Sequence, residues 1–206
     1  MGPILLLFKN PGAFFILMIP LLYSVIIHEV AHGWVAERMG DNTARWLGRI
    51  TLNPIKHLDP IGSAMLLLFG FGWAKPVPVN FSNLRDQRKG MILVSAAGIT
   101  ANIIMAFLAL LMIRMEIFSP WGMSCLVLSV LAKINLILAS FNLIPIPPLD
   151  GSKILMGFVS NRMKYQLMQL EPYGMFIIIG LLFFGLLNPL INFFEQIILG
   201  IINIII

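Results

Sequence analysis

Long runs of apolar residues without a charge constrain this chain more than any other feature of its sequence. A helix needs about 20 apolar residues to cross the hydrocarbon core of a bilayer. Residues 90–113 form a charge-free run of 24, and residues 172–194 form one of 23. Residues 10–27 form a run of 18 whose apolar character continues to about residue 35. A fourth span is predicted over residues 121–143. The chain is therefore expected to be an all-α, polytopic membrane protein with about four membrane-spanning helices.

The composition excludes the soluble classes of protein. Hydrophobic residues make up 59% of the 206 residues and charged residues only 11%, whereas soluble domains are about half apolar and a quarter charged. Residues 1–206 are therefore predicted to form a single membrane-embedded domain with the lipid bilayer as its surroundings. A soluble enzyme, a nucleic-acid-binding module and a disordered chain are not expected. The single cysteine excludes an internal disulfide and a cysteine metal cluster.

Shorter segments complete the predicted architecture. Residues 60–74 hold 15 residues without a charge and several glycines, which predicts a re-entrant segment or a short helix. Residues 197–206 are too short to cross alone, so they either lie in the interface or extend the last helix. Two short β-like runs, residues 47–52 and 77–80, predict a small hairpin or sheet near the first span, where an extended substrate could add as a further strand.

The distribution of lysine and arginine predicts the orientation of the chain. Of the 14 basic residues, eight lie in residues 38–89 and three in residues 153–164, and with four spans both groups fall on one side. Loops rich in Lys and Arg remain in the cytoplasm, so the N-terminus is predicted outside a multi-pass protein of the cell membrane. Lys133, in the middle of a span, can reach the interface, pair with a carboxylate such as Glu116, or lose its charge.

An H-E-x-x-H pattern, His28-Glu29-Val30-Ala31-His32, lies near the end of the first span. Histidines four residues apart share one face of a helix, so both imidazoles can bind one Zn²⁺, and Glu29 can accept a proton from the metal's water. If the helix enters the bilayer near Phe14, His28 lies about 21 Å along it, in the cytoplasmic half of the membrane.

A catalytic zinc usually has three protein ligands, and the third is here either His57 or a carboxylate. Asp150 is the leading candidate, because it follows a run with prolines at positions 145, 147 and 148. These prolines prevent a continuous helix, and broken backbone at membrane depth is tolerated only inside protein or beside a cavity. Asp150 could otherwise simply cap the next helix.

Together the two motifs resemble the site-2 protease family of zinc intramembrane metalloproteases. That family combines H-E-x-x-H on one span with N-x-x-P-x-P-x-L-D-G on a later one, and the second pattern is matched from Asn142 to Gly151. The stretches NPIKHLDPIGS, GWAKPVPVN and AAGITAN are also similar to compact members of the family. Ile99 stands where the family often has proline.

The resemblance implies one Zn²⁺ per chain, bound by His28, His32 and Asp150, with a zinc-bound water activated by Glu29 as general base. Asn102 and Asn142 would border the site, where an amide can hold substrate backbone or stabilise an oxyanion. The implied function is an intramembrane endopeptidase that hydrolyses peptide bonds within or near transmembrane segments of membrane proteins, as in regulated intramembrane proteolysis. Substrate identity and oligomeric state stay open.

Other classes fit the sequence less well. All three histidines precede Gly122-Met123-Ser124, so a serine intramembrane protease lacks its later histidine, and the paired aspartates of an aspartyl type are missing. A prenyl-protein protease would need a downstream glutamate ligand in place of Asp150. A metal transporter or metal sensor explains the ligands but not Glu29 between them. An inactive family member is the remaining alternative.

Overall fold

The structure is a computed structural model that describes residues 2–206. Within this range the chain is helical and contains no β-strand. Single-turn 3-10 helices lie at Pro54–Lys56 and Phe81–Asn83. The α-helices are α1 (Ile4–Lys9), α2 (Pro11–Arg38), α3 (Thr43–Trp46), α4 (Pro60–Phe69), α5 (Gln87–Arg114), α6 (Met123–Leu143), α7 (Asp150–Phe158), α8 (Asn161–Phe183) and α9 (Asn188–Ile205).

Within the described residues, five helices are long and apolar enough to cross a membrane: α2, α5, α6, α8 and α9. The expected number of about four is therefore corrected to five. The difference arises at residues 184–187, which interrupt the span predicted over residues 172–194. Gly185 has a φ of +69° there, which glycine adopts without strain, and Pro189 lies in the first turn of α9, a position that proline favours.

The segment predicted to be re-entrant or a short helix contains α4. Its ten residues span about 15 Å, which is too short to cross a core of about 30 Å. Asp59 caps its start by accepting a hydrogen bond of 2.7 Å from the Gly62 N–H. Gly70, with a φ of +80°, ends it. Asp59 is thus part of the helix cap.

The predicted β-hairpin was wrong, because neither residues 47–52 nor residues 77–80 form a strand in the described chain. In the second run, Pro76 and Pro78 flank Val77, and proline has no N–H to donate to a strand ladder. The N–H of Val77 instead donates to the Oε2 atom of Glu29 at 2.7 Å. In the first run, Gly48 has a φ of +61°, which turns the chain.

Helix α5 occupies the centre of the bundle, where it packs against α2, α6 and α7, while α9 packs against α6. Small residues such as Ala106 and Ala139 are completely buried along these contacts. Small side chains let membrane helices approach closely. This close approach brings the middle of α5 against the C-terminal half of α2, where the H-E-x-x-H motif lies.

Lys133 forms an ion pair with Glu195 across α6 and α9. The partner of Lys133 is therefore not Glu116, in the loop after α5, but Glu195, which is buried and lies on α9. An unpaired charge inside a membrane helix is energetically costly. The ion pair lowers this cost because each charge has a partner. The contact fixes α9 against α6 at the middle of both helices.

Asp41 fixes the loops at the basic end of α2. Its Oδ1 accepts hydrogen bonds from the Thr43 N–H (3.2 Å) and the Asn83 Nδ2 (2.9 Å), and its Oδ2 accepts one from the Asn80 N–H (2.7 Å). Burial alone would raise the pKa of Asp41, but the hydrogen bonds from Thr43, Asn83 and Asn80 outweigh it and hold the pKa below its usual value. The folded protein therefore favours the carboxylate form.

The substitution Asp41→Asn should lower the free energy of unfolding by about 1–3 kcal/mol at pH 7, because an amide NH₂ would face one of these donors. The depressed pKa makes this contribution complete above about pH 4 and removes it as the pH falls through the folded-state pKa. Thermal unfolding in detergent, followed by tryptophan fluorescence from pH 3 to 8, should show a difference from wild type that shrinks in acid.

The matched control for this experiment is Asp86→Asn. Asp86 caps α5 by accepting a hydrogen bond from the Lys89 N–H at 3.0 Å, and Asn is an equally good N-cap. The control should unfold at the wild-type temperature. A wild-type melting temperature for Asp41→Asn at pH 7 would contradict the role given to Asp41.

Candidate metal centre

Helix α2 places His28 and His32 on one face, one turn apart. Their Nε2 atoms lie 3.0 Å from each other, and both residues are buried. Two buried ring nitrogens at this separation point to a single location. The helix geometry alone therefore supplies two of the ligands that a metal ion needs.

Asp150, the first residue of α7, completes the cluster. Helix α6 ends at Leu143, before the proline-containing run, and α7 begins at Asp150 itself. The Asp150 Oδ2 atom lies 3.1 Å from the His28 Nε2 and 3.2 Å from the His32 Nε2. The break between α6 and α7 thus delivers a buried carboxylate to the two imidazoles.

The three atoms form a triangle with sides of 3.0, 3.1 and 3.2 Å. Ligand atoms at about 2.0–2.2 Å from a tetrahedral Zn²⁺ lie about 3.3–3.6 Å from each other, which is a few tenths of an ångström above these separations. The donor set of two imidazole nitrogens and one carboxylate oxygen is also one that zinc accepts. The residues present therefore fit a zinc ion.

His57, the alternative third ligand, is not part of this cluster. It is buried in the loop before α4, where its Nε2 lies 2.8 Å from the Thr51 carbonyl oxygen. Its own carbonyl oxygen accepts a hydrogen bond from the Lys75 N–H at 2.8 Å. His57 therefore ties two loops together.

Helix α5 orients both imidazoles through groups eight residues apart. The Val94 carbonyl oxygen lies 2.7 Å from the His32 Nδ1, and the Asn102 Oδ1 lies 2.6 Å from the His28 Nδ1. A carbonyl oxygen only accepts, so the His32 Nδ1 must carry the proton, which leaves its Nε2 lone pair free for a metal. The two acceptors lie about 12 Å apart along α5 and the two histidines about 6 Å apart along α2, so the acceptors flank the pair of imidazoles.

Gly98 lies between these two acceptors and leaves the space that the rings occupy. A Cβ atom at this position would lie 2.6 Å from the Nε2 atoms of both His28 and His32. Real Cβ atoms do not approach other atoms so closely, so even a methyl group at Gly98 would displace the ligand atoms. Glycine is therefore required at this position, because the imidazoles of α2 lie directly against the backbone of α5.

Glu29 lines a cavity of about 610 Å³ beside the metal ligands. Its Oε2 accepts the hydrogen bond from the Val77 N–H, which comes from the segment between α4 and α5. The carboxylate is thereby held at the cavity rather than in the ligand triangle. Other lining residues include Trp73, Pro76, Pro148, Lys153, Glu171 and Met175.

The two predicted asparagines occupy different places. Asn142 lines the cavity, and its Nδ2 donates to the Leu138 carbonyl oxygen at 3.0 Å. Asn102 is completely buried behind His28, and its side chain is hydrogen-bonded to protein groups on both its oxygen and its nitrogen. Asn102 therefore contacts the ring of His28 and does not line the cavity.

Gly98, Val94 and two buried polar residues, Ser24 and Asn135, also shape the site but were not predicted from the sequence. An isolated polar residue inside an apolar span indicates a structural or functional role, since polar groups in a membrane are energetically unfavourable. Ser24 precedes His28 by four residues, and Asn135 precedes Asn142 by seven, so each shares a helix face with a motif residue. The carbonyl of Val94 carries no signal in a sequence.

The gap at Gly98 makes a direct prediction. The substitution Gly98→Ala should reduce zinc affinity at least tenfold and destabilise the protein by about 1–3 kcal/mol, because the new methyl group overlaps the imidazoles. Zinc content of the purified protein, measured by inductively coupled plasma mass spectrometry with chelator competition for affinity, checks the first effect.

Gly180→Ala in α8 is the matched control, since nothing lies within 4 Å of a Cβ placed there. Alanine has the higher helix propensity, so this variant should keep its zinc and be as stable as wild type or more so. Zinc affinity in Gly98→Ala equal to that of wild type would show that the imidazoles do not lie where the structure has them.

Comparison with known proteins identifies the family to which the chain belongs. Residues 119–186, a range that contains Asp150, match the model of peptidase family M50. YwhC of Bacillus subtilis, named as a zinc metalloprotease, is 42% identical over 176 residues, covering 81% of this chain and 79% of that protein. Rip2 of Mycolicibacterium smegmatis, named likewise, is 28% identical over 194 residues, covering 89% and 72%.

A further relative is MJ0611 of Methanocaldococcus jannaschii, also named as a zinc metalloprotease. It is 32% identical over 146 residues, which cover 69% of this chain and 70% of that protein. No solved structure matches the chain at a significant level. The chain therefore belongs to peptidase family M50, the site-2 protease family.

Proposed function

We propose that this protein is an intramembrane zinc endopeptidase that hydrolyses peptide bonds within or near the transmembrane segments of other membrane proteins. Membership of family M50 makes it a zinc metalloprotease, a hydrolase. The observation that carries the proposal further is the convergence of His28, His32 and Asp150 on one location between helices apolar enough to cross a membrane. A protease site in that setting acts on chains within the membrane.

The metal would be held by the Nε2 atoms of the two histidines and by the carboxylate of Asp150. When bound, Zn²⁺ supplies a Lewis acid for a carbonyl oxygen and lowers the pKa of a water ligand. The Nδ1 hydrogen bonds would hold the two imidazoles with their Nε2 atoms toward the ion, which is how groups around a metal site orient its ligands.

Glu29 would act as the general base. Its Oε2 is occupied by the Val77 N–H, so its Oε1 is the atom that would accept the proton from water. A carboxylate held at one oxygen keeps the other in a fixed position, which general acid–base catalysis requires. Glu29 would then deliver the same proton to the nitrogen of the leaving amine.

The cavity suits an unwound substrate segment. Peptide bonds in a membrane helix are hydrogen-bonded within the helix, so the scissile segment must unwind before it enters. The Asn142 side chain lines the cavity on the side of α6 and is the residue that would contact the substrate backbone or the developing oxyanion. Lys153 and Glu171, also in the lining, would help admit water.

The site would lie in the cytoplasmic half of the bilayer. Ten residues separate His28 from Arg38 at the end of α2, which corresponds to about 15 Å of helix. The basic loops begin at Arg38, and loops rich in Lys and Arg stay in the cytoplasm. The protein would thus be a multi-pass cell-membrane enzyme whose site is reached from the cytoplasmic side.

Two substitutions test the proposal. Glu29→Gln should keep about one zinc per chain but lose at least 10²-fold in cleavage rate, because the amide cannot accept the proton. Asp150→Ala should lose both zinc and cleavage, since two histidines alone hold zinc weakly. Zinc analysis and mass spectrometry of single-span membrane proteins co-reconstituted in liposomes provide the two readouts.

The same variants separate the rival functions. A metal transporter or sensor predicts zinc binding without cleavage in wild type, and metal flux or sensing unchanged by Glu29→Gln. An inactive family member predicts zinc in wild type and in Glu29→Gln, loss of zinc in Asp150→Ala, and no cleavage by any of the three proteins. Cleavage that survives Glu29→Gln, or that continues without zinc, would contradict the proposed mechanism.

A further inference from the structure

A chain of buried side chains links the first zinc ligand to α6. The Nδ2 of Asn102 donates to the Asn135 Oδ1 at 2.8 Å and to the Ser24 carbonyl oxygen at 3.3 Å. The Nδ2 of Asn135 in turn donates to the Ser24 Oγ and the Leu131 carbonyl oxygen, both at 2.8 Å. Ser24, Asn102 and Asn135 have no exposed surface. None of them lines the cavity.

These bonds decide which way the Asn102 amide points. The Leu131 carbonyl oxygen can only accept, so it requires the NH₂ group of Asn135 on its side and leaves the Asn135 Oδ1 facing Asn102. Because that oxygen also only accepts, the NH₂ group of Asn102 must face it, and the Asn102 Oδ1 must face His28. The Leu131 carbonyl oxygen thus sets the orientation of the Asn135 amide, and the Asn135 Oδ1 and the Ser24 carbonyl oxygen together set that of the Asn102 amide.

The orientation of Asn102 fixes the role of the His28 ring. An oxygen 2.6 Å from the His28 Nδ1 requires a proton on that nitrogen, so the Nε2 keeps its lone pair for the metal. If the Asn102 amide turned over, its NH₂ would donate to the His28 Nδ1 and favour a proton on the Nε2. That tautomer cannot bind zinc through the Nε2.

We propose that Asn135 is a positioning residue of the metal centre, which acts through Asn102 to hold His28 in the form that binds zinc. The inference rests on the zinc site of the proposed function. It gives α6 a second role, in metal binding, in addition to placing Asn142 at the cavity. Asn102 contacts His28, and Asn135 accepts the shorter of the two hydrogen bonds that hold the Asn102 NH₂ group away from His28. Groups that hydrogen-bond to metal ligands typically change metal affinity or activity 10–100-fold when they are altered.

A hydrogen bond that only joins helices makes a different prediction. Polar residues commonly link membrane helices, and such a link contributes to stability alone. Its loss would lower the melting temperature of the metal-free protein and leave the zinc dissociation constant unchanged. The positioning role instead changes the zinc dissociation constant, so the two measurements together distinguish them.

The test compares Asn135→Leu with Asn135→Asp in detergent-purified protein. Leucine has the shape of asparagine but no acceptor for the Asn102 NH₂, so its zinc dissociation constant, measured by chelator competition, should rise about tenfold or more. A buried, protonated aspartic acid keeps a carbonyl oxygen for Asn102 and an O–H to donate. Asn135→Asp should therefore bind zinc within about threefold of wild type, as a rescue by the conservative substitution.

Ser140→Ala is the matched control on the same helix. Ser140 is completely buried and its hydroxyl has no hydrogen-bond partner in the described chain, so this change removes a buried polar group outside the network. Zinc affinity should not change. If Asn135→Leu does not fold, Asn135→Ser replaces it, since its hydroxyl is too short to reach Asn102 and the same loss is expected.

The outcomes separate the inference from the proposed function. Wild type that binds no zinc would overturn the function itself. Wild type with tight zinc, together with wild-type affinity in Asn135→Leu or Asn135→Ser, would overturn the positioning role and leave the function intact. Equal losses in Asn135→Leu, Asn135→Asp and Ser140→Ala would also overturn it, because they would show a general response of α6 to substitution.

Discussion

The packing of α5 against α2 at the H-E-x-x-H motif is the contact on which the rest of the site depends. Val94 and Asn102 accept from the two imidazoles, and Gly98 between them lets the helices come close enough for both bonds to form. The motif supplies the two imidazoles, and the hydrogen bonds to α5 occupy the Nδ1 of each ring, which leaves the Nε2 as the nitrogen that could bind a metal ion. Residues on a neighbouring helix therefore convert a sequence pattern into a binding site.

The bilayer explains why so few polar residues lie inside the helix bundle. Buried polar groups in a membrane must find partners within the protein. Ser24, Asn102 and Asn135 bond to one another and to His28, and Lys133 pairs with Glu195. The first group reaches His28 through Asn102, whereas the second joins α6 to α9. The polar interior thus separates into a part that serves the site and a part that holds the bundle together.

Much of the site could be predicted because it depends on local geometry. The four-residue spacing of His28 and His32 fixes a shared helix face regardless of what surrounds it, and the break before Asp150 follows from prolines in the sequence. Gly98 and Val94 could not be found in this way. Their roles depend on how closely and in what register α5 meets α2, which is a property of tertiary packing.

The fold was predicted least well where a pattern had two interpretations. Residues 77–80 have a β-like composition, but the flanking prolines remove the N–H groups that a strand needs, and Val77 bonds to Glu29 instead. Residues 172–194 form an unbroken apolar run, yet the glycine and proline near its middle divide it between α8 and α9. In both cases backbone chemistry outweighed the hydrophobic pattern.

X-ray absorption spectroscopy at the zinc edge, on zinc-loaded protein in detergent, tests the central claim most directly because it counts imidazole ligands around the ion. The account predicts two imidazole nitrogens with oxygen ligands at about 2.0–2.2 Å and no sulfur. A third imidazole would bring His57 into the site, and a sulfur neighbour would bring in Cys125. Either result would contradict a centre built from His28, His32 and Asp150.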